Sequence, residues 1–90
     1  MKNRRTQYEI YWEILTLCKN PKSYTKIINH CNLNSKIGTP YLSFLLEKKY
    51  LILLEDKTGS QYQTTEDAHV FLSLFSKMYK ELFNKYASSK

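Results

Sequence analysis

Apolar residues in the first third of the chain recur at the spacing of amphipathic helices. Ile10 and Ile14 lie about one helical turn apart, and with their neighbours they predict a first helix over residues 6–19. Ser23 is a favourable N-cap residue, and it predicts a second, shorter helix over residues 24–31. Both helices should turn one apolar face toward a common core.

A third helix should follow the turn at residues 32–34, but its start can be placed in two ways. An uninterrupted helix from Ser35 would hold Pro40, which has no N–H to donate, in its interior. A helix over residues 40–49 with Thr39 as N-cap would instead hold the proline at the first helical position, and we favour this arrangement. Either version turns the same apolar residues inward: Ile37, Leu42, Leu45 and Leu46.

After residue 49 the hydrophobic pattern changes to that of a β-hairpin. Residues 50–56 are β-prone, residues 57–60 have turn chemistry, and residues 61–64 alternate as an edge strand does. Three helices followed by a hairpin are the element order of a winged helix-turn-helix. The predicted fold class is therefore mainly α with a small β-hairpin (α+β), a winged helix-turn-helix over residues 1–65 followed by a long C-terminal helix.

The last quarter of the chain predicts that long helix. Residues 64–67 are a start signal with a threonine hydroxyl available as cap, and no Gly or Pro follows before Tyr86, which allows a helix of about 22 residues within the segment 66–90. Its apolar residues have heptad spacing, so the helix can fold back on its own chain or pair with a second one. We favour a homodimer, because the end of the helix has no other element to cover it. The predicted dimerisation residues are Leu72, Phe75, Met78, Tyr79, Leu82, Phe83 and Tyr86.

Charge is distributed unevenly along the chain. The 90 residues contain 14 Lys and Arg against 8 Asp and Glu, a formal net charge of +6. Residues 1–36 hold seven basic and two acidic side chains, a net of +5, whereas residues 37–67 hold three basic and five acidic ones, a net of −2. A basic chain of this kind is attracted to polyanions, which supports nucleic acid as a partner without establishing it.

The residues that could carry other chemistry are few and scattered. Cys18 and Cys31 lack the spacing of a metal site, and each falls among the apolar positions of a helix, so we expect two buried thiols and treat a disulfide between them as the less favoured alternative. His30 and His69 are isolated, and no Ser or Cys has an evident base partner. We therefore predict no enzyme activity, no metal and no cofactor.

Three segments of the chain resemble a known family. They are YEIYWEIL, TKIINHCNLNSKIGTPYLSFLLEKKYLI and YQTTEDAHVFLSLF, which together look like the archaeal winged-helix family of ten-kilodalton crenarchaeal DNA-binding proteins with a C-terminal antiparallel coiled coil. The resemblance implies a dimer that binds duplex DNA as a transcription regulator or chromatin protein. The chain departs from the family pattern at residues 38–40, where unbroken helix is commoner, and at Glu55-Asp56, which places acids beside the wing.

The predicted DNA contacts follow from where a winged helix meets the duplex. The third helix should enter the major groove, the start of the second helix and the wing should meet phosphates, and the N-terminus should act as a mobile basic arm. The predicted residues are Arg4 and Arg5 in the arm, Ser23, Tyr24, Thr25 and Lys26 at the second helix, Ser35, Lys36, Thr39, Tyr41 and Ser43 at the third, and Lys57, Thr58, Ser60 and Gln61 in the wing.

The sequence thus predicts a sequence-dependent or architectural protein for double-stranded DNA, acting as a homodimeric transcriptional regulator. No apolar run is long enough for a membrane span and no signal peptide is evident, so we expect a cytoplasmic, DNA-associated protein. The alternative function is a winged-helix protein interaction module within a larger assembly. It would be favoured if acidic groups neutralised the basic surface around the third helix.

Overall fold

A computed structural model describes the backbone of residues 5–88 and the side chains of residues 5–82. Four helices and one hairpin follow each other in the order that the sequence predicts, and this confirms the winged helix-turn-helix with its long C-terminal helix. The elements are α1 (Gln7–Leu17), α2 (Tyr24–His30), α3 (Ser35–Glu47), β1 (Leu51–Asp56), β2 (Gly59–Thr64), a 3₁₀ turn (Glu66–Ala68) and α4 (His69–Ser88).

Helix α1 is the centre of the core. It begins with a capping box, in which the Glu9 N–H donates to Thr6 Oγ1 at 3.1 Å and the Thr6 N–H donates to Glu9 Oε1 at 2.8 Å. Ile14 and Leu15 have no exposed surface, because α2, the hairpin and α4 all pack around this helix.

None of the helices within residues 5–88 has the length and apolarity that crossing a membrane requires.

Helix α3 is continuous through Pro40, so the favoured start at Pro40 with Thr39 as cap is wrong. The helix starts one turn earlier because Asn34 is its N-cap: Asn34 Oδ1 accepts from the Ile37 N–H at 3.0 Å, and the Asn34 carbonyl accepts from the Gly38 N–H at 2.7 Å. The proline ring is exposed, so Pro40 costs the helix only the one hydrogen bond that its missing N–H would have donated.

A glycine takes the inward position that the sequence pattern assigned to Ile37. Gly38 is buried where α3 crosses α2, and a Cβ built on it would lie 2.2 Å from Ile28 Cδ1. Ile37, predicted to face inward, is 45% exposed, whereas Leu42 and Leu45 are buried as predicted. The close approach of α2 and α3 at Gly38 turns the helix so that Ile37 points away from the core.

Helices α2 and α3 end in the same motif, with a left-handed residue after the C-cap. Asn32 has φ 58° and Lys49 has φ 67°. After α3, the Tyr50 N–H donates to the Leu45 carbonyl and the Lys49 N–H to the Leu46 carbonyl, which is the Schellman pattern. Glycine fits this backbone best, and asparagine tolerates it better than lysine does.

Replacing Lys49 with glycine should therefore stabilise the fold by about 0.5 to 1 kcal/mol. Chemical denaturation of the purified chain measures the change. Asn32→Gly is the matched control, and it should bring a smaller gain because asparagine already tolerates the left-handed region. A gain at Asn32 equal to that at Lys49 would contradict the assignment of strain to Lys49.

The hairpin is completed by the linker between α1 and α2. Strands β1 and β2 pair antiparallel, from Leu51 opposite Thr64 to Asp56 opposite Gly59. On the far side of β2, the Lys22 and Tyr62 backbones exchange hydrogen bonds of 3.0 and 2.8 Å. Strand β2 therefore lies at an edge of a two-stranded sheet, as predicted, although the linker pairs with it at the single position Tyr62.

The start of α4 is held by threonine hydroxyls, although not as helix caps. Thr64 Oγ1 donates to the Leu15 carbonyl and Thr65 Oγ1 donates to the Lys49 carbonyl, each at 2.6 Å. Thr65 is the N-cap residue of the 3₁₀ turn and makes no side-chain capping bond, so the predicted threonine cap is wrong. The hydroxyls instead join the start of the last helix to α1 and to the end of α3.

Of the seven predicted dimerisation residues, two in the described part of the chain are buried within their own chain. Leu72 and Phe75 are each 8% exposed, and the Phe75 ring stacks on Trp12 of α1 with centroids 5.8 Å apart. These two residues are therefore part of the domain core, which corrects their assignment to a dimer surface. Further along the helix, Leu82 is 52% exposed. The side chains of Phe83 and Tyr86 lie outside the described residues.

Candidate nucleic-acid interface

The outer face of α3 is the most accessible surface of the helix-turn-helix. With α3 continuous from Ser35, the residues at positions 36, 40, 43 and 47 fall on one side of the helix and all are exposed. We define the outer face by these residues and the adjacent Thr39: Lys36, Thr39, Pro40, Ser43 and Glu47. It consists of two hydroxyl side chains, one proline, one cation and one anion.

A hydrogen bond joins this face to α2. Tyr24 Oη and Thr39 Oγ1 are 2.9 Å apart, and either hydroxyl can be the donor. The contact orients Thr39 on the outer face and places the Tyr24 hydroxyl beside it. Together the two hydroxyls offer a fixed donor and acceptor to a base edge or a phosphate oxygen. Both residues are predicted DNA contacts, and only the tertiary structure brings their hydroxyls together.

The other predicted contacts in this region fall in different places. Thr25 and Lys26 are exposed at the start of α2, where Ser23 caps the helix by accepting from the Lys26 N–H at 3.3 Å. Ser35 is exposed at the start of α3. Tyr41 is half-buried and packs edge-on against Tyr11 at 5.4 Å, on the flank that faces α1. The structure therefore separates Tyr41 from the outer face.

The wing tip is a tight turn stabilised by an acid. The Asp56 carboxylate accepts from the Thr58 Oγ1 hydroxyl at 2.7 Å and from the Thr58 N–H at 2.8 Å, and these hydrogen bonds lower the pKa of Asp56. The ionised carboxylate lies next to Lys57. Lys57, Thr58 and Ser60 are exposed, as predicted for a contact surface, and Gln61 is half-buried. The wing is thus accessible, but Glu55 and Asp56 outnumber Lys57 and leave it without net positive charge.

The expected basic arm is anchored at one of its two residues. The Arg5 guanidinium forms an ion pair with the Glu13 carboxylate of α1, with side chains 25% and 33% exposed. Glu13 compensates the charge of Arg5 and holds the side chain against α1, so Arg5 does not behave as part of a mobile arm. Arg4 lies outside the described residues.

One member of the outer face could have been found from the sequence. Glu47 follows Pro40 and Ser43 at helical spacing in either version of the third helix, and the continuous helix adds Lys36 to the same side. The periodicity of the polar positions contains this signal.

The described part of the chain has no group of three or more His, Cys, Asp and Glu side chains arranged to hold a metal ion. Cys18 and Cys31 are both buried and are free thiols in this structure. Burial raises the pKa of Cys18 to about 12 and that of Cys31 to about 11, so both thiols are protonated and unreactive at neutral pH.

Comparisons with known proteins agree with this geometry. A sequence profile of the winged helix-turn-helix family matches residues 4–83. A crystal structure of Sso10a-2, described as a DNA-binding protein from Sulfolobus solfataricus, superposes with a TM-score of 0.79 at 22% identity, covering 94% of this chain and 90% of that one. F93 from STIV, described as a winged-helix DNA-binding protein, has a TM-score of 0.72 at 16% identity, with 90% and 95% coverage.

A third structure extends the likeness to a bacterial regulator. ZitR of Lactococcus lactis, described as a zinc-responsive MarR family member, has a TM-score of 0.67 at 18% identity, and the match covers 97% of this chain but only 60% of ZitR. A comparison with curated protein sequences gives no significant match. The family match confirms the winged helix-turn-helix resemblance inferred from the sequence and agrees with the prediction that this chain is not an enzyme. The two neighbours described as DNA-binding proteins share the fold.

Proposed function

This chain belongs to the winged helix-turn-helix family, and on that premise we propose that it binds double-stranded DNA as a homodimeric transcriptional regulator or architectural protein. The observation that carries the proposal is the outer face of α3, an exposed row of mainly polar and charged side chains on the helix that winged helices use for binding. In this proposal residues 1–65 contact DNA, residues 66–90 pair the two subunits, and the protein works inside the cell.

Helix α3 has the dimensions and surface that a major groove accepts. Its 13 residues span about 20 Å, and its outer face has no large apolar side chain. We assign Lys36 to a phosphate, because its cation stands at the start of the helix. Thr39 is assigned to a base edge, because its hydroxyl is already oriented by Tyr24. Ser35 and Ser43 flank these two.

The remaining contacts are phosphate contacts that position the domain. Thr25 and Lys26 are exposed at the start of α2, and Lys57 is exposed in the wing tip. A net charge of +6 favours approach to the duplex from any direction. Asp56 lies next to Lys57, the cation of the wing, whereas Glu47 is a single acid among the cations of α2 and α3. The attraction to DNA should therefore come mainly from the α2 and α3 cations rather than from the wing.

The homodimer is proposed through the uncovered side of α4. Val70, Leu74, Met78 and Leu82 follow each other at intervals of four residues and are 66%, 61%, 51% and 52% exposed. We call this row the α4 stripe. It adjoins Tyr79, which stacks on Phe75 with centroids 5.9 Å apart. A stripe of this length is typical of a helix that pairs with another helix, and two-fold pairing would present two α3 helices to successive major grooves, roughly 34 Å apart.

The proposal is tested by DNA binding at several salt concentrations with alanine variants of α3. The parent affinity should fall steeply as salt rises. Lys36→Ala should weaken binding to all sequences alike and reduce the slope of log K against log salt by about 2 per dimer, since each subunit loses one phosphate contact. Thr39→Ala should leave the slope unchanged and alter the preference among sequences.

Lys77→Ala is the matched control, because it removes the same charge from an exposed position on α4. It should leave the affinity and the slope close to those of the parent. If the parent chain fails to bind any duplex even at low salt, DNA binding is excluded, and the interaction module, consistent with the acids Glu47 and Asp56 beside the basic groups, becomes the better account.

A further inference from the structure

The outer strand of the hairpin exposes an unusual amount of apolar surface for its position. Ile52 is 43% exposed, Leu53 43% and Leu54 36%, although only Leu51 of this strand belongs to the core. Three consecutive exposed aliphatic residues on a strand are a surface that proteins normally cover or interrupt with charge. DNA backbone would be a poor partner for it, because phosphates gain nothing from aliphatic contact and are repelled by Glu55 and Asp56 at the end of the strand.

The edge of this strand is open to a further strand. Strand β1 pairs with β2 on one side only, and the linker bridge of Lys22 to Tyr62 lies on the far side of β2. Within residues 5–88 no strand lies along the other side of β1. An open edge offers backbone N–H and C=O groups to any extended segment of suitable sequence.

The charges at the two ends of β1 identify the segment that fits. Lys48 and Lys49 precede the strand, Glu55 and Asp56 end it, and all four side chains are exposed. A second β1 running antiparallel brings its acidic end beside the basic end of the first, and the reverse. A parallel copy would instead bring like charges together. The charge pattern is therefore self-complementary for antiparallel pairing only.

We propose that β1 pairs antiparallel with β1 of a second copy of this chain, forming a continuous sheet across a two-fold axis at Ile52. Two-fold pairing about an axis perpendicular to the sheet requires facing residues to lie on the same side of the sheet, so that their numbers have the same parity. The register centred on Ile52 meets this condition. It sets Ile52 opposite Ile52 of the second copy and Leu51 opposite Leu53, and it brings Tyr50 and Lys49, which precede the strand, near Leu54 and Glu55.

In this register the apolar side chains of β1 that are exposed in a single chain become covered. Tyr50, Ile52 and Leu54 lie on one side of the strand and form an unbroken apolar row with their counterparts, while Leu53 gains a leucine neighbour on the other side. The turn at Lys57-Thr58 stays outside the paired region. Wing contacts to DNA therefore remain compatible with the pairing.

The pairing goes beyond the proposed DNA-binding dimer, because it is a second interface on a different surface. The α4 stripe and the β1 edge are each used with two-fold symmetry. Two such interfaces on one chain link copies into a linear row or a closed tetramer. On DNA, either assembly would join neighbouring bound dimers through their wings.

A charge-exchange cycle on the full chain tests the pairing in the absence of DNA. Sedimentation over a wide concentration range gives the association constants of the parent, Lys49→Glu, Glu55→Lys and the double variant Lys49→Glu/Glu55→Lys. Each single reversal should weaken the β1 association about tenfold, because the two-fold axis applies the repulsion twice. The double variant should restore it, since the opposite charges face each other again. Lys19→Glu, an exposed reversal at the end of α1, is the control and should have no effect.

The outcomes separate this interface from the α4 dimer. Repeating the cycle with Leu74→Glu/Met78→Glu removes the α4 stripe, and there the chain should still form a dimer that responds to the Lys49 and Glu55 reversals. Association that is insensitive to both single reversals, or that the double variant fails to restore, overturns the β1 pairing and leaves the α4 dimer unaffected. Association that is lost with the α4 changes alone supports only the α4 dimer and likewise overturns the β1 pairing.

Discussion

Replacing Leu74 and Met78 with glutamate should break the α4 interface of the homodimer while each chain stays folded. Both side chains are more than half exposed in the single chain, so their replacement leaves the domain core intact. Burying an apolar side chain of this size contributes roughly 1.5 to 3 kcal/mol, and the symmetry of the dimer counts each residue twice. The dissociation constant of the α4 dimer should therefore rise by at least about a thousandfold, as measured by sedimentation equilibrium.

The matched control introduces the same number of carboxylates on another side of the same helix. Ser73 and Lys77 are exposed, and Ser73→Glu/Lys77→Glu should leave the dimer intact. Circular dichroism should show the same helix content in all variants. If the parent chain sediments as a monomer, or if the control separates the dimer as effectively as the α4 stripe changes do, the proposed use of the stripe is wrong. Phe75, which stacks on Trp12, is unsuitable for this test because its loss would also damage the core.

The second large effect concerns the core under α3. Leu45 is 1% exposed, and Leu45→Ala should lower the free energy of unfolding by about 2 to 4 kcal/mol, since the deletion leaves a cavity among fixed neighbours. For a domain of this size the midpoint of thermal unfolding should fall by about 10 to 20 °C. Calorimetry or thermal circular dichroism at a fixed protein concentration measures both quantities.

Ile37→Ala is the informative partner of this experiment. The sequence pattern predicts that Ile37 and Leu45 both face the core, whereas Ile37 is 45% exposed in the structure. Its replacement should cost under about 1 kcal/mol, because much of the side chain is already in water. Equal losses at the two positions would mean that Ile37 is as buried as Leu45, and would contradict the continuous α3 that turns it outward.

The sequence by itself determined the elements and their order. The capping residues Thr6 and Ser23, the change of period after residue 49 and the long run without Gly or Pro before Tyr86 each act within a few residues of chain. Such signals depend on local backbone chemistry, and they are readable without knowledge of the fold. The family likeness and the fold class could be predicted for this reason, and so could the exposed polar residues Lys36, Thr39 and Ser43.

The rest was decided by contacts between residues far apart in the chain. Two starts of α3 were locally acceptable, and the close crossing of α2 at Gly38 accompanies the earlier one. The bridge of Lys22 to Tyr62 joins the linker to the far side of β2, and the stacking of Phe75 on Trp12 places one of the predicted dimerisation residues in the core. Each outcome depends on which surfaces meet, and a linear pattern of apolar residues records that a face is buried but not what buries it.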